Sequence, residues 1–170
     1  MTKTKQKEMK KVESGKYLTF KLGDEEYGLE IHKVLEIIGM QNITPVPRTP
    51  DYLQGVINLR GIIHPVIDLN KKFGLGMTDE TDLTCIIVVI VERDEKQEQM
   101  GIIVDEVSEV EDINEEDIEE TPSLGTEINT EFILGMAKTK GTVKMLLDLQ
   151  KVLTSQELSM IGNVSEAKNN

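Results

Sequence analysis

The sequence predicts an all-β protein, mainly strands with short helices, built as two five-stranded barrels. Two observations carry this. The chain repeats itself, and its apolar residues fall in short alternating runs bounded by Gly, Pro and charge clusters, with no long crossover helix between them. The segment GLEIHKVLEI at 28–37 returns as GIIVDEVSEV at 101–110, aligning Gly28 with Gly101, Val34 with Val107 and Glu36 with Glu109 at an offset of 73. GVINLRGIIHPVIDLNK at 55–71 returns as GMAKTKGTVKMLLDLQK at 135–151, with five identities in seventeen at an offset of 80. Small units of about five strands that lack a crossover helix close most naturally into small barrels. Two copies of such a unit create a seam, and a seam is a place to bind something.

Each element follows in order. YLTFKL at 17–22 alternates, GDEE at 23–26 is turn chemistry, and YGLEI resumes the strand, giving a first hairpin. Val34 to Ile37 continues as a strand, with Glu36 on the face opposite its apolar neighbours. TPVPRTP at 44–50 holds three prolines and reads as a surface loop. Strands at 54–59 and 62–68 meet at the tight Arg60-Gly61 turn, repeated as Lys140-Gly141. DLNKKF, stopped by Gly74, and DLQKVL form short helices with Asp68 and Asp148 as N-caps. The second unit opens with LTCIIVVIVER, a charged turn DEKQEQ at 94–99 and MGIIVDEV, followed by a Val107–Val110 strand. Thr154 and Glu157 make a capping box before LSMI, predicting a second C-terminal helix of about two turns, so that the C-terminal helical region spans 148–161. The boundaries are a basic disordered leader over 1–16, one domain over 17–161 with subdomains near 17–80 and 81–150, and a flexible tail over 162–170.

Composition bounds the function. A chain of 170 residues buries a substantial core, but halves of about 75 residues are marginal alone and share one. With no Trp and few Phe or Tyr, that core is expected to be aliphatic. Net charge is −12, and the lysine-rich leader leaves −16 on the rest, which disfavours nucleic acid and anionic membrane surfaces. The leader lacks an apolar signal region, and the longest apolar run, 83–91, is too short for a membrane span, so a cytoplasmic protein without direct membrane insertion is expected.

Catalytic signals are missing. The lone Cys85 lies in an apolar run and reads as a buried structural thiol. His32 and His64 read as half-buried strand or turn histidines outside any HExxH or Cys/His cluster, and no G-x-S-x-G or P-loop is present. The acidic stretch 105–127, with eleven carboxylates and no basic residue, lacks calcium-loop spacing and reads as a solvated connecting segment. We expect a non-enzyme with no cofactor and no metal. Arg60, one of three arginines, sits at a tight turn, and a planar, permanently charged fork there needs a carboxylate. Glu36 is the plausible partner, either as an incidental exposed pair or as a fixed polar group presented to another protein.

With these residues in view, the chain resembles the CheW-type chemotaxis adaptors. The likeness runs from Tyr17 to Ile161 and rests on LGDEEYGLEIHKVLEI, TPDYLQGVINLRGIIHPVIDLNKKFG, GIIVDEVSEV and LLDLQKVL. The resemblance implies two interlocked SH3-like barrels sharing a core. It also implies an activity without chemistry, bridging the cytoplasmic tips of chemoreceptors to the regulatory domain of the histidine kinase CheA in membrane-associated arrays. Glu36 and Arg60 match the family's coupling and kinase-contact positions, and Gly55 and Gly61 belong to the same motif. Ile31, Val34, Val104 and Val107 match apolar positions beside the groove where a receptor helix lies. A monomer when free, assembled in arrays, is expected. The rivals are an enzyme or small-ligand barrel using the seam as a pocket, and a structural oligomer formed through exposed aliphatic strands.

Overall fold

The computed structural model describes residues 15–93, 95–120, 131–153 and 157. In the first half lie β1 (Gly15–Leu22), β2 (Glu25–Glu30), β3 (Val34–Gly39), β4 (Leu53–Leu59), β5 (Ile62–Asp68) and α1 (Leu69–Lys72). In the second lie β6 (Cys85–Arg93), β7 (Lys96–Val104), β8 (Glu106–Ile113), β9 (Ile118–Glu119), β10 (Ile133–Thr139), β11 (Thr142–Leu147) and α2 (Leu149–Val152). One-turn 3-10 helices precede β3 (Ile31–Lys33) and β9 (Glu115–Asp117).

The sheets are assembled across the repeat. One has the order β8-β1-β2-β11-β10-β9 and the other β3-β6-β7-β5-β4. Each sheet therefore takes its opening hairpin from one half of the chain and its remaining strands from the other. The exchange is symmetric. Hairpin β1-β2 pairs antiparallel with β8 and parallel with β11, and hairpin β6-β7 pairs antiparallel with β3 and parallel with β5. Even the irregularities repeat. The ladder skips Leu35 between β3 and β6 and Ser108 between β8 and β1, then Gln54 between β4 and β5 and Leu134 between β10 and β11. These are the offsets of 73 and 80 read from the sequence. A bulge bends its strand and increases local twist, which is what a small sheet needs in order to curl.

Both sheets curl until their edges are linked. β8, at one edge, leads through a single 3-10 turn into β9 at the other. In the five-stranded sheet the chain leaving β3 reaches the far edge at Thr44, which forms an isolated bridge with Val56 of β4. The two barrels expected from the sequence are thus present, and the sixth strand of one is only the two-residue β9.

Three apolar clusters fill the fold. Ile57, Val66, Ile86 and Val88 pack inside the first barrel, and Tyr17, Ile113, Ala137 and Leu146 inside the second. Between them a larger shared cluster takes Phe20 and Leu29 from one sheet and Ile87 and Ile102 from the other, all with no exposed surface. Each such side chain contributes about 1.5–3 kcal/mol of burial. The shared core is not purely aliphatic, as the composition suggests. Phe20, Tyr27, Phe73 and Phe132 form a row with successive centroids 5.9, 6.0 and 4.7 Å apart. Few aromatics suffice because they are gathered in one place.

Several expectations are corrected. Residues 96–99, read as part of a charged turn, belong to β7, and Arg93 of β6 pairs with Lys96. Long charged side chains lie on the outer face there and do not interrupt the backbone ladder. The acidic stretch is not a bare connector over its described part, since β8 and β9 occupy most of it. Gly15 and Lys16 belong to β1, where Lys16 pairs with Asp112 at 2.9 Å. His32 is exposed on its 3-10 turn. Asp68 and Asp148 cap α1 and α2 as expected, each carboxylate accepting from the backbone N–H two residues on at 3.0 Å. The leader over 1–14, the tail, and all of the 154–161 helix except Glu157 lie outside the described residues.

Candidate functional site

Arg60 is positioned by a turn that its own backbone permits with difficulty. Arg60 and Gly61 have φ of 53° and 86° between paired Leu59 and Ile62, the conformation of a two-residue hairpin whose twist matches the strands. Asn58 Oδ1 accepts from Gly61 N–H at 2.8 Å and fixes the turn. From there the Arg60 guanidinium donates to the Glu36 carboxylate on β3. The Arg60 side chain remains 72% exposed and Glu36 31%. This hydrogen bond, with the negative charge behind it, holds Arg60 above its usual pKa.

The surroundings of Glu36 reverse the usual pattern. Leu35 and Ile37, its neighbours on β3, are 44% and 45% exposed, and Ile62 beside the turn is 54% exposed. The alternation read from the sequence is present, but the aliphatic side chains turn outward. The bulge at Leu35 and the inward packing of Ile38 on the barrel core set that direction. Beneath lies His64, buried and held below its ordinary pKa of 6.5 by burial first and by Arg60 second.

Gly55 serves the site through the backbone. Its φ is 145°, and an added Cβ would stand 2.1 Å from the Thr44 carbonyl oxygen, where Thr44 and Val56 exchange two hydrogen bonds of 2.9 Å. A side chain there displaces the loop that closes the first barrel. Gly61 meets nothing within 4 Å, so only its φ requires glycine.

Three of the four residues matched to a receptor groove reach the surface. Ile31, Val34 and Val107 are partly exposed and pack on the shared cluster, whereas Val104 is wholly buried within it. Val34 and Val107 occupy equivalent places, beside the skipped Leu35 and Ser108. Cys85 lies close by, with its thiol pushed up by burial.

Sequence reasoning read the second turn, Lys140-Gly141, but missed the ion pair it makes. Lys140, φ 53°, donates from the β10-β11 turn to Glu109 on β8 at 2.8 Å. The aligned repeat held the signal, since Lys140 corresponds to Arg60 and Glu109 to Glu36. Lys140 is held above its usual pKa and Glu109 below, each by the hydrogen bond with the other. Val110 and Val143 beside this pair are 50% and 47% exposed. At the place of His64 the second barrel has Lys144, buried and held by Thr139 O at 2.9 Å, Thr142 Oγ1 at 2.7 Å and, more distantly, Glu26 and Glu111.

Among the described residues no group of three His, Cys, Asp or Glu is placed to hold a metal ion. No helix among them is long and apolar enough to cross a membrane. Two barrels that exchange hairpins around a shared core, each with an ion-paired turn beside exposed aliphatic residues, define a duplicated β-barrel module. The chain belongs to the CheW family: the model of the CheW-like domain matches residues 16–157. It is 37% identical over 151 residues to the chemotaxis protein CheW of Klebsiella aerogenes, covering 89% of each chain. It is 33% identical over 151 residues to that of Treponema pallidum, covering 86% of each. The crystal structure of the scaffolding protein TtCheW from Thermoanaerobacter tengcongensis superposes with a TM-score of 0.74 at 37% identity, covering 86% of this chain and 92% of that one. Chemotaxis scaffolding is the role this family membership assigns.

Proposed function

We propose that the chain couples chemoreceptors to a CheA-type histidine kinase without performing chemistry of its own, as a cytoplasmic protein recruited to receptor arrays. The observation that carries this reading is the Arg60–Glu36 pair on an otherwise aliphatic surface of Leu35, Ile37 and Ile62. Exposed aliphatics that exclude water, with a fixed charged group to select the partner, are the ingredients of a protein interface. In this reading the kinase's regulatory domain docks on that face, and Gly55 and Gly61 give it its backbone shape. A receptor helix lies along Ile31, Val34 and Val107, with Val104 as the rigid floor beneath them. An adaptor can bias the kinase only by contacting its two states differently, so contacts near micromolar, about −8 kcal/mol, suffice when many copies act together.

Co-purification tests this directly. The tagged chain should retain the kinase regulatory domain alone, and retain receptor signalling tips with or without kinase. Loss of both interactions in a folded, monomeric preparation overturns the proposal, and a ligand-dependent rise in melting temperature without partner binding favours a small-molecule role.

A further inference from the structure

The two barrels close the ends that carry the ion-paired turns with equivalent strands but different chemistry. In the first barrel Glu36 shares a face of β3 with Ile38, and His64 shares a face of β5 with Val66. Ile38 and Val66 both pack on that barrel's core, so Glu36, His64 and the Arg60 of the turn meet at one mouth above it. His64 plugs this mouth. It is only 9% exposed, Ile57 of β4 stands opposite it, and its ring hydrogen-bonds the backbone of Gln99 on β7. From β6 the residue paired with Gln99 is the apolar Ile90. Among the described residues the charged groups that act on His64 are Arg60, from its own hairpin, and Glu36, from β3.

The second barrel shows what this position needs when its occupant is charged. At the offset of 80 Lys144 stands where His64 does, and at the offset of 73 Glu111 and Glu26 stand in the places of Ile38 and Gln99. The Lys144 side chain is 3% exposed, and its ammonium lies 3.6 Å from the buried Glu111 and 3.5 Å from Glu26. With the Lys140–Glu109 pair at 2.8 Å, two cations there face three carboxylates. The first mouth lacks two of those carboxylates. While His64 is neutral, one cation, Arg60, faces one carboxylate, Glu36. When His64 is protonated, two cations compete for that single carboxylate. A buried charge without a partner is costly, and Glu36 offsets the cost only by turning from Arg60.

We propose that His64 is a positioning residue of the coupling face: neutral, it leaves Glu36 to hold Arg60 in place, and protonated, it draws Glu36 away and frees Arg60, so that a CheA-type regulatory domain docks more weakly in mild acid. This rests on the reading of that face as the kinase contact. Docking covers Leu35, Ile37 and Ile62 and removes water from the mouth, which makes a second cation there more costly still. Burial, and Arg60 after it, hold the folded pKa of His64 below 6.5, so the change falls on the acid side of neutrality. The second mouth, whose buried cation is already matched by carboxylates, has no such response.

The test follows the His64 imidazole and the Arg60 Nε–H by NMR in the intact, isotope-labelled chain from about pH 8 to about pH 5.5. The Arg60 signal should move with the midpoint of His64, which is distinguishable from that of the exposed His32, and should stay in place over that range in His64→Gln. An Arg60 signal that ignores the titration of His64 overturns the proposal, whether or not any variant folds. So does an equal movement in a folded His64→Gln. Retention of the kinase regulatory domain is then compared at about pH 7.5 and about pH 5.5, where the unmodified chain should lose about tenfold in affinity and His64→Gln no more than about threefold. An equal loss in both chains overturns the proposal. The NMR measurement involves no kinase, so its failure is separate from failure of the coupling role, which shows as absence of retention at both pH values.

Discussion

Lys140 meets Glu109 in the second barrel as Arg60 meets Glu36 in the first, turn to strand, each cation held at a φ of 53°. The cations differ in what they can do. Arginine offers a planar fork able to grip a second carboxylate, whereas a lysine ammonium is a compact, strongly hydrated charge. The first pair can therefore engage a partner's carboxylate in a way its copy cannot.

Arg60→Glu should leave the melting temperature nearly unchanged, because the pair is exposed and screened by water. Kinase activation in a reconstituted mixture of receptor, kinase and adaptor should fall sharply. The Arg60→Glu/Glu36→Arg double variant restores an ion pair but inverts the surface, so activation should stay impaired. Recovery in the double variant would show that the pair matters only internally.

Val34 and Val104 should separate surface from core. Val34→Asp places a charge at a partly exposed position and should weaken retention of receptor tips more than retention of kinase. Val104→Ala removes two buried methyl groups and should cost roughly 2 kcal/mol, seen as a lower melting temperature. Equal loss of both partners in a folded Val34→Asp contradicts separate surfaces.

Gly55 and Gly61, in and just beyond the same strand, should differ in thermal denaturation. Gly55→Ala drives a methyl into the Thr44 carbonyl and should cost about 3 kcal/mol or more. Gly61→Ala meets open space and should cost about 1 kcal/mol for its positive φ alone.

Stability should fall on mild acidification, in part through His64. Its folded pKa lies below 6.5, so the unfolded chain takes up the proton first, and the stabilisation is complete above 6.5 and lost as pH falls through the folded value. Arg60 lowers that value, while Glu36 and the Gln99 backbone raise it. Urea midpoints between about pH 7.5 and about pH 5 should decline less steeply for His64→Gln. Identical slopes would remove His64 from the account.

Residues 1–80 and 81–170, made separately, should each be largely unfolded and should regain the near-ultraviolet spectrum of the intact chain when mixed. Neither half contains both partners of β1-β8, β2-β11, β3-β6 or β5-β7. A half that folds alone contradicts this dependence.

Local chemistry was the legible part of the fold. The Asp68 and Asp148 caps, the Arg60-Gly61 turn and the Glu36–Arg60 pairing depend on residues whose preferences act over short range or on a charge that needs a partner. The hairpin exchange was not legible, because a parallel pairing such as Val66 with Gly101 leaves no mark in either strand's alternation. Nor was the burial of Val104 or the exposure of Ile37, since alternation gives opposite faces without saying which one meets the core. Asp68 is the cap its sequence predicts, and what the sequence did not show is that Thr78, ten residues on, adds its hydroxyl and its N–H as donors to the same carboxylate.

The traded hairpins have a mechanical consequence. Two beads on a string could swivel, and a tug on one would be absorbed before it reached the other. Here the parallel seams β2-β11 and β5-β7 would have to tear first, so a push on either bead displaces both as one stiff lever.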